Sequence, residues 1–107
     1  MINVIASLSV REGQAEAFES AVATARPEML ADPGCLRYDL QRSTRGKPDY
    51  VLIEAYDSDE AIRRHRELQA YRDLGEAVGG LLSAEPVVWV LEPVGGQHEL
   101  AGPETPA

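Results

Sequence analysis

Two side chains in the middle of this 107-residue chain, His65 and Glu54, have the chemistry to exchange a proton. His65 follows Ala61 by four residues and precedes Leu68 by three, so it shares the apolar face of a predicted helix with them. Glu54 belongs to the strand predicted just before that helix. An imidazole on an apolar face points inward and needs a partner, because burying it unpaired is costly. The sequence therefore predicts a buried His65 beside Glu54.

This pair has two interpretations, and the helix pattern alone leaves both open. In the structural interpretation, His65 is a core histidine held by a backbone carbonyl or by Glu54. In the functional interpretation it is an acid–base group, because histidine titrates nearest to neutral pH and is the usual general base.

The segment that positions the pair begins as a strand over residues 50–56, where aliphatic and aromatic side chains favour a pleated surface. Asp57 or Ser58 is predicted to cap the following helix by accepting hydrogen bonds from its free N–H groups. With Asp57 as the cap, Glu60 lies three residues on and completes a capping box.

Two strands and a helix are predicted before this segment. Alternation of apolar and polar residues over positions 2–10 predicts the first strand. A helix is predicted from Gln14, and Pro27 should kink or end it near its last turn, because proline lacks an N–H group. The second strand covers residues 35–42 and is followed by a hairpin loop over residues 43–49. Three large side chains of the second strand are predicted to lie on one side: Leu36, Tyr38 and Leu40.

A further helix and strand are predicted after His65. The helix begins at Arg72, and two glycines weaken its end, because glycine is a poor helix former. Residues 87–91 are the most hydrophobic run of the chain and are predicted to form a strand that is buried on both faces. Residues 95–107 lack periodicity and are predicted to form a flexible tail, which leaves residues 1–94 as one domain.

The resulting order, β-α-β-β-α-β, predicts an α+β fold of the ferredoxin-like type. The helices cover one face of the sheet, and the alternation in the strands leaves the second face apolar as well. An exposed apolar face of that size implies a partner. The sequence therefore predicts a homodimer in which two sheets pack face to face about a two-fold axis.

The composition argues against several kinds of partner. Lys and Arg number 10 and Asp and Glu number 18, and the resulting net charge of −8 argues against binding to nucleic acid. The single cysteine, Cys35, excludes an intramolecular disulfide, and the two distant histidines, His65 and His98, predict no metal site. The chain shows neither a membrane span nor a signal peptide, so no membrane partner and a cytoplasmic location are expected.

Three sequence segments, taken together in their order and spacing, are specific for one protein family. They are VREGQAEAF at residues 10–18, DPGCLRYDLQRS at residues 32–43 and LIEAYDSDEAIRRH at residues 52–65. In sequence and spacing they resemble the antibiotic biosynthesis monooxygenase (ABM) domains, over about residues 2–92. The third segment resembles the family pattern of a strand acid, a strand aromatic and a helix histidine, which fall here on Glu54, Tyr56 and His65.

The resemblance implies a dimeric α+β barrel with a pocket between the sheet and the helices of each protomer. It also implies oxidation of aromatic polyols, quinols or anthrones by O₂, often without metal or flavin, so no cofactor is predicted. Many members have a tryptophan where this chain has Tyr56. This replacement changes the environment that the resemblance implies around the aromatic ring of the substrate.

Oxygen chemistry without a cofactor requires the substrate itself to donate the electrons. Removing a phenolic proton gives an electron-rich anion, so His65 and Glu54 are the predicted catalytic residues. Aromatic side chains would hold a flat substrate in an apolar pocket. The predicted substrate-binding residues are Ser7, Tyr38, Tyr56, Tyr71 and Trp89.

The resemblance also admits other functions. Relatives that degrade haem carry an iron-binding histidine, an asparagine and a tryptophan at positions that correspond here to Gly75, Ser7 and His65, and all three differ. Similar barrels act as lactone isomerases, stress-response proteins or non-catalytic modules that bind small ligands. Fold alone does not separate these functions, because function belongs to the site.

Overall fold

The computed structural model describes residues 1–95, which form one antiparallel sheet with three helices on one face. The elements are β1 (Ile2–Leu8), α1 (Ala15–Leu30), β2 (Cys35–Arg42), β3 (Tyr50–Tyr56), α2 (Asp59–Glu67), α3 (Gln69–Gly79) and β4 (Val87–Leu91). The strand order β2-β3-β1-β4 confirms the predicted ferredoxin-like α+β fold. The predicted flexible tail lies, from residue 96 onward, outside the described residues.

The core lies between the sheet and α1. Phe18, Val22, Ala25 and Met29 are buried, and their spacing of three or four residues places them on one face of α1. The helix continues through Pro27 and ends one turn later at Leu30, as expected for a proline near the last turn.

A β-bulge changes which side chains of β2 point toward the core. The register between β2 and β3 shifts between Cys35 and Arg37, so Leu36 is an extra residue that opposes no partner. The prediction that Leu36 shares a face with Tyr38 and Leu40 is therefore wrong, and Leu36 is 53% exposed. Cys35 takes its place in the core.

The helix that carries His65 begins one residue later than a capping box at Asp57 requires. Ser58 is the cap, and its Oγ accepts a hydrogen bond from the backbone N–H of Ala61 at 3.2 Å. This confirms the second of the two predicted caps, whereas Asp57 accepts a hydrogen bond from the Ser58 hydroxyl instead.

The next helix begins earlier than predicted. Leu68 has an extended backbone, with ψ at 141°, and separates α2 from α3. Because that single residue is enough to turn the chain, α3 starts at Gln69 and not at Arg72. No helix within residues 1–95 is both long enough and apolar enough to cross a membrane.

The last strand, β4, is the largest departure from the sequence prediction. All five of its side chains are between 47% and 57% exposed, so the predicted burial on both faces is wrong for the single protomer. The reason is topological, because β4 is an edge strand that pairs only with β1 among the described residues.

Candidate functional site

A cavity of about 280 Å³ lies between the sheet and the three helices. An apolar cavity of about 150 Å³ holds benzene, so this one has room for a substituted aromatic ring. Its walls are mostly aliphatic and aromatic. The lining residues are Val4, Ala6, Leu8, Phe18, Val22, Tyr38, Leu52, Glu54, Tyr56, Ile62, His65, Arg66, Tyr71, Leu74, Gly75, Val78, Pro86 and Val88.

A larger open groove of about 620 Å³ lies beside the hairpin loop, away from the His65 cavity. Four of its charged lining residues form exposed pairs, Arg42 with Glu19 and Lys47 with Asp49, each at 2.7 Å, and Arg11 and Glu12 also line it. These open, charged walls differ from the concave, mostly apolar lining that is typical of a small-molecule site. The apolar cavity around His65 is therefore the stronger candidate site.

The structure brings the two predicted catalytic side chains together. His65 is 6% and Glu54 is 7% exposed, and His65 Nε2 lies 3.7 Å from Glu54 Oε1. That distance is too long for a hydrogen bond. The Tyr56 hydroxyl donates a hydrogen bond to the same Oε1 atom, so one carboxylate oxygen faces both neighbours.

Three tyrosines surround the imidazole of His65. The ring centroids lie 5.8 Å away for Tyr38, 5.2 Å for Tyr56 and 5.1 Å for Tyr71, which packs edge-on. Tyr38 and Tyr56 are buried, whereas Tyr71 is 42% exposed and reaches solvent. Three of the four aromatic residues that were predicted to bind the substrate therefore lie on the cavity wall around His65.

Ser7 and Trp89 do not line this cavity. Antiparallel pairing places Trp89 opposite Ile5 and Ser7 opposite Val87, on the face of the sheet that points away from the helices. Side chains alternate along a strand, so the neighbouring Val88 lines the cavity instead. Within one protomer the structure thus separates these two residues from the other predicted ligands.

Burial controls the charges in the site. It lowers the pKa of His65 to about 4, with a further contribution from the positive charge of Arg66, while Asp32 opposes the shift. His65 is consequently a neutral imidazole at pH 7 and not the near-neutral base that the sequence argument favours. Burial raises the pKa of Glu54. The hydrogen bond from Tyr56 and the positive charge of Arg66 act in the opposite direction and lower it, but by less.

The other nitrogen of His65 has no partner. Nδ1 is buried and forms no hydrogen bond with any group among residues 1–95. A neutral imidazole carries one donor and one acceptor nitrogen. The tautomer with its proton on Nε2 directs the donor toward Glu54 and leaves Nδ1 as an unpaired acceptor.

A compact set of contacts fixes the helix that carries His65. Arg64 donates two hydrogen bonds of 2.9 Å to Asp32, which also accepts from the Gly34 N–H at 2.8 Å. These bonds lower the pKa of Asp32 to about 2, with Arg64 as the main cause. A Cβ on Gly34 would lie 2.6 Å from the Cβ of Ala61, which cannot move away without moving α2, so only glycine fits this approach.

Two lining residues were not predicted from the sequence. Arg66 lines the cavity because it follows Ile62 by four residues, a spacing that places it at the edge of the apolar stripe of α2. Gly75 entered only through the comparison with haem-binding relatives, because a glycine in a helix carries no side-chain signal. Across residues 1–95, no cluster of three or more His, Cys, Asp or Glu side chains is placed to hold a metal ion.

Lowering the pH is expected to destabilise the protein through His65. The folded protein resists protonation down to about pH 4, whereas the ordinary imidazole of the unfolded chain, with a pKa of 6.5, accepts the proton. The unfolded state therefore binds more protons in this window, and the free energy of unfolding falls as the pH falls from 6.5 to 4. The loss is on the order of 3 kcal/mol.

Urea unfolding of the wild type and His65→Gln across this pH window measures the effect. Titration of the other groups is common to both proteins, so the difference between the two curves isolates His65. An imidazole resonance of His65 that titrates with its ordinary midpoint in the folded protein would contradict this account.

The family model described as "Antibiotic biosynthesis monooxygenase" matches residues 1–77 of this chain. A solved candidate antibiotic biosynthesis monooxygenase from Caulobacter crescentus is 32% identical, with a TM-score of 0.83 over 88% of this chain and 90% of that chain. The Rv0793 protein of Mycobacterium tuberculosis is also 32% identical, with a TM-score of 0.81 over 88% of this chain and 95% of that one.

A third solved structure, a candidate antibiotic biosynthesis monooxygenase from Nitrosomonas europaea, shares the fold at lower identity. It is 23% identical, with a TM-score of 0.82 over 88% of this chain and 99% of that chain. No curated protein sequence shows a significant match to this chain.

Proposed function

Because this chain belongs to the antibiotic biosynthesis monooxygenase family, we propose that it oxidises a small aromatic polyol, such as a quinol, with O₂. The reaction takes place in the cavity between the sheet and the helices. The observation that carries the proposal is the buried pair of Glu54 and His65 in an otherwise apolar, tyrosine-lined space. Such a space suits a flat ring, and the pair suits its hydroxyl group.

The spacing of the pair fits a substrate hydroxyl. A single oxygen atom can lie about 2.8 Å from both His65 Nε2 and Glu54 Oε1, and so bridge two atoms that are 3.7 Å apart. The hydroxyl donates its proton toward the carboxylate and accepts the Nε2–H of the neutral imidazole. The bound hydroxyl group thereby connects His65 and Glu54, which are too far apart to form a hydrogen bond with each other.

We infer different roles for the two residues. Glu54 takes the proton, because burial raises its pKa and makes its carboxylate a stronger base. His65 stays neutral and stabilises the developing phenolate by donating a hydrogen bond, because burial disfavours an imidazolium. The Tyr56 hydroxyl holds the Glu54 carboxylate in place.

The reaction balances with the substrate as the only reductant. A benzene-1,4-diol plus O₂ gives a hydroxyquinone plus water, so one oxygen atom enters a C–H position and the other leaves as water. The substrate supplies four electrons: two when the diol becomes a quinone and two when the C–H bond becomes C–OH. The proposal therefore requires neither an external reductant nor a bound cofactor.

The same proposal includes a homodimer. The sheet face that points away from the helices carries a row of half-exposed apolar side chains on β4 and neighbours on β1 and β3. Burial of that face against a second copy removes an apolar surface that a monomer would expose to water. Ser7 and Trp89 lie on this face, so a dimer would place them at the interface.

This chain lacks the side chains with which haem-degrading relatives bind the haem iron and shape its pocket. At the position where haem-degrading relatives have an iron-binding histidine, this chain has Gly75, which has no side chain to coordinate a metal. The second corresponding position, Ser7, lies on the opposite face of the sheet from the cavity.

An oxygen electrode tests the proposed activity. Benzene-1,4-diol and naphthalene-1,4-diol are added to the aerated protein, with heat-denatured protein as the control for spontaneous oxidation. Uptake of one O₂ per substrate, with no O₂ released on adding catalase, is expected for a monooxygenase. Uptake equal to that of the denatured control for both compounds would reject the proposal for this substrate class.

A further inference from the structure

The cavity around His65 is open on one side, where α3 passes the segment before β4. A second groove of about 480 Å³ begins there, and the cavity and the groove share three lining residues: Gly75, Val78 and Pro86. The main packing of α3 is against α1 and α2, which leaves a gap between α3 and β4. The two spaces therefore adjoin at Gly75.

Gly75 has no local structural reason to be a glycine. A Cβ at this position would meet no atom within 4 Å, and its backbone does not adopt a positive φ. Glycine inside a helix is unfavourable relative to alanine. The visible consequence of the missing side chain is the open passage between the cavity and the groove.

The groove differs in chemistry from the cavity. Its lining combines the apolar side chains of Val78, Leu82 and Ala84 with the polar side chains of Arg11, Ser83 and Glu85. The apolar residues suit an alkyl chain, and the polar ones suit an oxygen atom carried on that chain. Within residues 1–95, no tyrosine lines this groove, unlike the space around His65.

We propose that Gly75 is a specificity-determining residue, and that the substrate is an aromatic polyol with an alkyl or acyl side chain of several carbons. This inference rests on the proposed function for the identity of the ring. The ring lies beside His65 and Glu54, and the side chain passes over Gly75 into the groove. A substrate without the side chain fills only the inner cavity.

Binding under anaerobic conditions tests this inference without turnover. Isothermal titration calorimetry compares benzene-1,4-diol with 2-pentylbenzene-1,4-diol, using the full chain. The wild type is expected to bind the pentyl compound at least about tenfold more tightly, because each methylene buried in the groove adds affinity. Gly75→Leu fills the passage, and this preference is expected to fall by about tenfold or more.

Gly80→Leu is the matched control, because Gly80 lines neither space and a Cβ there also meets no atom within 4 Å. It should keep the wild-type preference, and circular dichroism verifies that both variants are folded. Equal affinities of the wild type for the two diols, or a wild-type preference in Gly75→Leu, would overturn the inference. If the wild type shows the preference but consumes no O₂, the proposed oxidation fails while the inference about Gly75 stands.

Discussion

Glu54→Gln is expected to lower kcat/KM for quinol oxidation by about 10² or more, the usual size of a general-base contribution. The amide keeps the shape of the carboxylate and still accepts the hydrogen bond from Tyr56, but it cannot take a proton. The fold should therefore survive while turnover is lost. Initial rates of O₂ uptake measure the change.

Glu67→Gln is the matched control, because it makes the same chemical change on the exposed side of α2. Its rate should equal that of the wild type. His65→Ala should also lose about 10², since it removes the donor that stabilises the phenolate. The double variant should be no worse than either single variant by more than about tenfold, because residues that act as a unit are not additive.

The structural interpretation of His65 predicts the opposite pattern. If His65 only fills the core, His65→Ala loses about 1–3 kcal/mol of stability and keeps its activity per folded molecule. Full quinol oxidation in folded His65→Ala, or in folded Glu54→Gln, would reject the proposed roles of the pair.

Trp89→Glu is expected to convert a dimer into a monomer. Trp89 is 47% exposed at the centre of β4 and lies opposite Ile5 on the outer sheet face. In a face-to-face dimer a carboxylate at this position loses its hydration, and burial of an unpaired charge is strongly unfavourable. Light scattering at micromolar concentration should give twice the 11.6 kDa chain mass for the wild type and the chain mass for the variant.

The control is Ala23→Glu, which adds the same charge to an exposed position on the helical side of the molecule. It should remain a dimer. A wild-type protein that scatters as a monomer would contradict the proposed assembly, and so would a dimer that Trp89→Glu leaves intact.

Much of the fold could be predicted from local patterns. Period-two alternation gave β1, and the spacing of Phe18, Val22 and Met29 gave the buried face of α1. The same reasoning placed His65 on the inner face of α2 and Glu54 on the strand beside it. Those predictions succeeded because each depends on residues that are close in sequence.

The failures have a common physical origin in pairing between distant segments. The bulge at Leu36 depends on how β2 meets β3, and the exposure of β4 depends on its place at the edge of the sheet. Trp89 was predicted to face the cavity, but its pairing with Ile5 turns it to the other side. The low pKa of His65 is likewise a result of tertiary burial, which a helical pattern does not quantify.

Oxidation in ¹⁸O₂ gas, followed by mass spectrometry of the product, tests the central claim most directly. If the cavity supports a monooxygenase reaction, the product of naphthalene-1,4-diol gains one labelled oxygen atom, and Glu54→Gln loses this incorporation. A product without label, formed at the same rate by the wild type and Glu54→Gln, would contradict the account.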